Sequence, residues 1–252
     1  MKKHRFCISA VVGLICLIFS TALEVKAFDY TGAAWCCEND ITYCVNPTEP
    51  TDTCGPTATA RTFVSVVNDA AASWNSAGFS FQLVYGGTTS STGCVPGPVG
   101  ECTMNMDGQN VVSMATGCTF PAGILATAWI MYIAPSGGQL DCCILEADIC
   151  VTTDETLFRD ADSTLCLGCY DLESIMLHEF GHWASLGHED DEVLLGYRPS
   201  MYSSFGICEI RRAVTVDDAA GIDYIYGPDA PSDSVLSVPD RCTAVHVHPP
   251  YP

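Results

Sequence analysis

Apolar positions recur along the chain at two spacings. Phe63, Val66, Val67, Ala70, Ala71 and Trp74 fall at i, i+3, i+4, i+7, i+8 and i+11, which predicts one buried face of an amphipathic helix that Gly78 can end. Ile41 to Val45 forms an alternating β-rich run after Trp35. Phe79, Phe81, Leu83 and Tyr85 then alternate with Ser80, Gln82 and Val84, the two-residue period of a strand with one face buried. Further strands are expected over residues 111–114, 124–133 and 145–151. A second helix should open at Asp171, whose side chain can cap first-turn amides, and run past His182. A third is expected over residues 216–226, with Thr215 and Asp218 as a capping pair and Gly227-Pro228 as the stop. Strands and helices mix without strict alternation, so the fold class is α+β.

Composition changes the picture at both ends. Lys2, Lys3 and Arg5 precede an apolar stretch from Phe6 to Leu23, and Val25-Lys26-Ala27 offers a cleavage site, so residues 1–27 read as a secretory signal peptide, with an uncleaved anchor as the rival reading. A secreted, extracellular chain without stable membrane association is expected. Residues 228–252, with six prolines and three aspartates, read as a Pro-rich acidic tail. Between them, residues 28–227 are expected to form one domain and to be a monomer. Little sequence separates Ala27 from the first long strand at Ile41.

The chain carries 10 Lys plus Arg against 30 Asp plus Glu, a formal charge of −20. After signal cleavage there is no lysine, and six Arg face 29 acids. Such a chain repels phosphate backbones and excludes nucleic-acid binding. Calcium binding, tolerance of salt and plain solubility all fit an acidic surface. Asp154, Glu155, Asp160 and Asp162, and Glu189 to Glu192, are the densest acidic loops. Cleavage also leaves 14 of the 16 cysteines, an even number that an oxidising compartment turns into disulfide partners. The pairs Cys36-Cys37 and Cys142-Cys143 and the Cys166/Cys169 spacing admit zinc-ribbon or redox readings, which export disfavours. Sequence gives no connectivity.

The chemistry concentrates in His178-Glu179-Phe180-Gly181-His182-Trp183-Ala184-Ser185-Leu186-Gly187-His188. Residues four apart share a helix face, so His178 and His182 can present nitrogens to one ion. Glu179, one residue on, is turned from the ligand direction yet within reach of a metal-bound water, which is the place of a general base. His188 closes the site only if the helix ends near Ser185 and the chain turns back. Three neutral imidazoles plus water make an open catalytic zinc site.

This segment resembles the metzincin zinc endopeptidases, whose pattern is His-Glu-x-x-His-x-x-Gly-x-x-His followed by a methionine turn; Pro199-Ser200-Met201-Tyr202 looks like that turn. The likeness extends toward the matrixins: Gly123 to Trp129 is similar to their substrate-binding edge strand, Glu146-Ala-Asp-Ile149 to the next strand and Val216 to Gly227 to their closing helix. It implies a mixed twisted sheet with an active-site helix, a second long helix and a C-terminal helix. It also implies one catalytic zinc on His178, His182 and His188, Glu179 as base, Met201 as a floor beneath the metal, and a polypeptide substrate. The substrate would pair with Ile124, Leu125, Ala126, Thr127 and Ala128, and Ser203, Ser204 and Phe205 would line the pocket for the side chain after the scissile bond. Three positions depart from the pattern. Ser185 replaces a Gly that needs left-handed backbone, although Gly187 can absorb part of the bend. Thr127 stands where matrixins place a structural-zinc His, leaving only His246 and His248, in the tail. Glu189 is what astacins carry after the third His, where it pairs with the mature N-terminus, but Ser203 replaces their extra Tyr ligand. The expected function is a secreted zinc endopeptidase; the alternative is a non-catalytic, disulfide-rich binding module with a structural zinc.

Overall fold

The computed structural model describes residues 28–35, 40–50, 61–78, 81–135, 142–153, 157–159, 168–190, 198–227 and 242–247. The expected signal peptide, Cys36, Cys37, Cys166, the loop carrying Asp154, Glu155, Asp160 and Asp162, Asp191 and Glu192, His248 and most of the expected tail lie outside the described residues.

The elements run β1 (Ala33–Ala34), β2 (Asp40–Val45), α1 (Phe63–Ser76), β3 (Gln82–Thr88), β4 (Cys94–Pro96), β5 (Cys102–Met104), β6 (Val111–Met114), β7 (Ala126–Pro135), β8 (Cys142–Val151), β9 (Leu157–Phe158), β10 (Tyr170–Asp171), α2 (Leu172–Trp183), α3 (Val216–Tyr226) and β11 (Cys242–Val247). The main sheet has the order β11-β7-β8-β6-β2-β3, with β1 also on β8. It is mixed: β7 runs antiparallel to β8, while β8, β6, β2 and β3 pair in parallel. This agrees with the expected α+β class.

Local chemistry explains the helices. Thr62 caps α1 by accepting from the Ser65 amide, and Phe63, Val66, Val67, Ala70, Ala71 and Trp74 are all buried, the face the periodicity predicts. The helix ends at Ala77, and Gly78 takes φ +84°, where a side chain is strained. Asp171 caps α2 through the Ser174 amide. Thr215 and Asp218 form a complete capping box on α3, and Gly227 closes it. In β2, Ile41, Tyr43 and Val45 face the core while Asp40 and Thr42 are exposed. In β3, Phe81 precedes the strand and Leu83 is buried, but Tyr85 is exposed, so the expected apolar face stops one residue pair early.

Helices α1 and α2 pack on one face of the sheet. Trp74 donates from its indole N–H to the Leu177 carbonyl at 2.8 Å, and Tyr43, Phe180 and Trp183 form a cluster of edge-on ring contacts under α2. On the opposite face the β4–β5 hairpin covers β6 and β8 through a second core of Met104, Ala115, Trp129 and cysteines. Two disulfides, Cys94–Cys150 and Cys102–Cys118, lie in it. Cys143, Cys169 and Cys208 are also bridged. Cys44 is a free thiol, which corrects the expectation that all exported cysteines pair: it sits on β2 against Gly86 of β3.

Part of the segment read as a tail forms structure. Residues 242–247, Cys-Thr-Ala-Val-His-Val, are rich in strand formers, and β11 pairs antiparallel with β7 from Met131 to Pro135. His246 is in this strand. Residues 126–130, at the other end of β7, lie beyond that pairing.

One close approach ties the helix to the loop beneath it. A Cβ on Gly181 of α2 would overlap Met201 Sδ and sit 3.0 Å from Trp74. Gly181→Ala is therefore expected to displace Met201 and cost about 1–3 kcal/mol through overpacking. Denaturant unfolding checks this; an unchanged midpoint would contradict the close packing of Gly181 on Met201.

Candidate metal centre and cleft

The α2 cap fixes the site's position. Asp171 is fully buried, accepts from the Ser174 amide and hydroxyl, and pairs with Arg212. Glu173 in the first turn pairs with Arg61 and Arg212. Negative charge at a helix N-terminus is favourable, and these arginines satisfy it. The helix then carries His178 and His182 on one face, one turn apart.

The chain turns after Trp183 as the third ligand requires. Ser185 takes φ +73°, the left-handed region that the pattern's Gly would occupy. Its hydroxyl is 3.4 Å from the Tyr226 hydroxyl, a local compensation for strain of about 1 kcal/mol. Gly187 does not share the bend; it lies against Asp29, whose carbonyl accepts from its amide at 2.8 Å. The turn brings His188 Nε2 to 3.2 Å from the Nε2 atoms of both His178 and His182, which are 3.1 Å apart.

That triangle has a chemical requirement. His178 Nδ1 lies 2.8 Å from the Ser200 carbonyl and His182 Nδ1 2.7 Å from the Leu186 carbonyl. A carbonyl only accepts, so both Nδ1 atoms carry the proton and both Nε2 atoms present lone pairs. These two lone pairs and His188 Nε2 converge at 3.1–3.2 Å, an arrangement that a cation between them would satisfy. A tetrahedral zinc with bonds of about 2.0–2.1 Å sets its nitrogens about 3.3 Å apart, so the residues fit the ion. Burial holds His178 well below its ordinary value and pushes His182 down to about 3, so neither competes as imidazolium. The three histidines are a group able to hold a metal. Cys94, Cys102 and Cys118 also cluster, but their sulfurs are committed to disulfides.

Glu179 is buried, and one carboxyl oxygen has no hydrogen-bond partner among the described residues. Burial raises it to about 8, against a hydrogen bond from the Ala128 amide that lowers it. Positive charge beside it would draw that value down and leave a carboxylate.

A cleft of about 170 Å³ lies over this group. It is lined by Gly123 to Ala128 on one side and by Ser203, Ser204 and Phe205 on the other, with His178, Glu179, His182 and His188 at its base. The residues that sequence assigned to metal, base, substrate contacts and pocket all line it; Ile124 and Leu125 precede β7, and Trp129, at the end of the expected edge strand, is buried in the second core instead. Met201 is buried against Gly181 under the helix. Its carbonyl accepts from the Glu189 amide, and Glu189 is half-buried beside the ligand loop. Thr127 is in the cleft. Tyr170 and Ile175 also line it and were missed from sequence; Ile175 lies one turn before His178, a spacing that could have found it.

No family model matches the chain. Over 118 residues it is 35% identical to Metalloendoproteinase 2-MMP of Arabidopsis thaliana, a match covering 46% of this chain and 28% of the relative. Over 107 residues it is 33% identical to Metalloendoproteinase 1-MMP of the same plant, covering 42% and 26%. Each match spans little more than a quarter of the relative's own length. The chain thus has partial, distant similarity to metalloendoproteinases, joined to a mixed α/β fold with disulfides and a three-histidine group.

Proposed function

We propose that this protein is a secreted zinc-dependent endopeptidase of the metzincin type. The observation that carries the reading is the convergence of three imidazole Nε2 atoms beside a buried carboxyl, one oxygen of which has no partner among the described residues. A purely structural zinc site has no use for that carboxyl.

His178, His182 and His188 would hold the ion. Bound there, zinc would polarise a scissile carbonyl and bring the pKa of a water toward neutrality. The two Nδ1–H donations to Ser200 and Leu186 orient the rings and fix their tautomers. Glu179 takes the proton from the attacking water and passes it to the leaving amine; the Ala128 amide holds one of its oxygens so that the other faces the cleft. An extended peptide aligns along residues 126–128, whose strand edge there lies beyond the pairing with β11. The side chain after the scissile bond enters the space between Ile175, Tyr170 and Phe205, an apolar wall.

The test is incubation of the mature protein with an unstructured polypeptide, with and without a chelator, alongside metal analysis. Cleavage that stops on chelation and returns with zinc, at about one zinc per chain, is expected. A folded sample that holds zinc and cleaves nothing would leave the binding-module reading instead.

A further inference from the structure

The segment after the methionine turn forms neither helix nor strand between Tyr202 and Gly206, yet it supplies one wall of the cleft. Its inward carbonyls need donors, and a single side chain provides them. Arg211, 9% exposed, donates from Nη1 to the carbonyls of Pro199 at 3.0 Å and Tyr202 at 3.1 Å, and from Nη2 to the carbonyl of Ser204 at 2.5 Å. Its Nε lies 3.3 Å from a Glu209 oxygen. The guanidinium carbon sits over the Phe205 ring, 3.8 Å from its centroid, and Phe205 also meets His178, ring centroids 5.5 Å apart and nearly perpendicular. The backbone of Arg211 is itself anchored: its amide donates to Ser174 Oγ at 2.7 Å, in the turn of α2 that also carries Ile175. Cys208, on the same loop, is bridged, and its amide donates to the Cys169 carbonyl, beside Tyr170.

We propose that Arg211 is a positioning residue that sets the shape of the side-chain pocket and thereby selects the residue following the scissile bond. This rests on reading the cleft as a peptide-cleaving site. A planar fork that bonds three carbonyls and stacks on a ring cannot be reproduced by lysine, whose ammonium is a flexible point donor. Loosening the fork frees Phe205 to swing and makes the pocket accept side chains without regard to size.

The experiment separates this from the protease reading. Full-length mature protein carrying Glu179→Ala and loaded with zinc is titrated calorimetrically with peptides that differ only in the residue after the scissile position: Ala, Leu or Trp. Affinities are expected to spread by about tenfold or more. Adding Arg211→Met should compress the spread to within about threefold at unchanged zinc content, and Arg211→Lys should compress it partly. Phe205→Leu, which leaves the buried charge in place, should compress it too, and combining it with Arg211→Lys should add little, since both act through one wall. In the enzyme with Glu179 intact, the same changes should fall on KM rather than kcat. A spread unaltered by Arg211→Lys and by Phe205→Leu, an equal loss for all three peptides, or no peptide binding at all would overturn the proposal. Selective binding without cleavage by the intact protein would instead reject the endopeptidase while leaving Arg211 its role.

Discussion

Glu179→Ala is expected to keep a full complement of zinc and to lose peptide hydrolysis by about four powers of ten. Zinc stays because the nitrogen triangle is built by α2, the Ser185 turn and the carbonyls of Ser200 and Leu186, none of which depends on the Glu179 side chain. Hydrolysis goes because no other carboxylate among the described residues faces the cleft: its lining includes Ser, Thr and apolar residues, the three histidines and Glu179 alone among acids. General-base assistance commonly contributes about 10²–10⁴, and its loss here also removes the proton carrier to the leaving amine. Glu179→Gln, which keeps the shape and the bond from Ala128, should be nearly as inactive. Zinc analysis beside a peptide-cleavage assay decides it. Cleavage by the alanine variant within tenfold of the parent would sink the assigned role.

The second large effect concerns stability. Asp148 on β8 is completely buried; one oxygen accepts from the Val111 amide at 2.9 Å and the other has no partner among the described residues. Burial raises it to about 9, and the neighbouring Glu146 and Asp107 carboxylates push the same way. Between its ordinary value of 3.8 and that of about 9, the unfolded chain gives up this proton and the folded chain keeps it. The folded state binds more protons, so its stability falls as pH rises through that window. Asp148→Asn keeps the acceptor for Val111 and removes the titration. It should match the parent near pH 4 and exceed it progressively to about pH 9, by a few kcal/mol at pH 8 at about 1.4 kcal/mol per unit before relaxation. Denaturant unfolding at pH 4.5, 6 and 8 measures this. A variant less stable than the parent at pH 8 would mean that the carboxylate is ionised against a cation.

Legibility in the sequence followed the range of the interactions. The α1 face, the Asp171 cap and the α3 capping box rest on contacts within a few helical turns, so spacing alone carries them. His178 and His182 were placed on one face by helix spacing alone, His188 needed the turn at Ser185 to join them, and Met201 stood out only through the family resemblance. The β4–β5 hairpin and its disulfides were not, because Cys94 and Cys150 are 56 residues apart and nothing local marks the pair. Arg211 escaped for the same reason: the carbonyls and hydroxyl it hydrogen-bonds lie 7 to 37 residues away. The only hint was an Arg-Arg pair just after the pocket segment in a chain poor in cations. The strand at residues 242–247 was hidden by the prolines around it, which mask a short run of β-formers.

The arginines that clamp the histidine-bearing helix α2 also bear on how the protein responds to its medium. Arg212 and Arg61 hold Asp171 and Glu173 with side chains 15% and 17% exposed, while Arg211 is buried against backbone carbonyls. These three arginines are thus used internally, and the chain's excess of 20 negative charges is left largely to repel itself. Dissolved salt screens exposed charges beyond about 8–10 Å but screens buried pairs much less. Rising ionic strength should therefore relieve the repulsion without loosening the clamp, so that brine tightens this fold where it weakens proteins held by surface ion pairs.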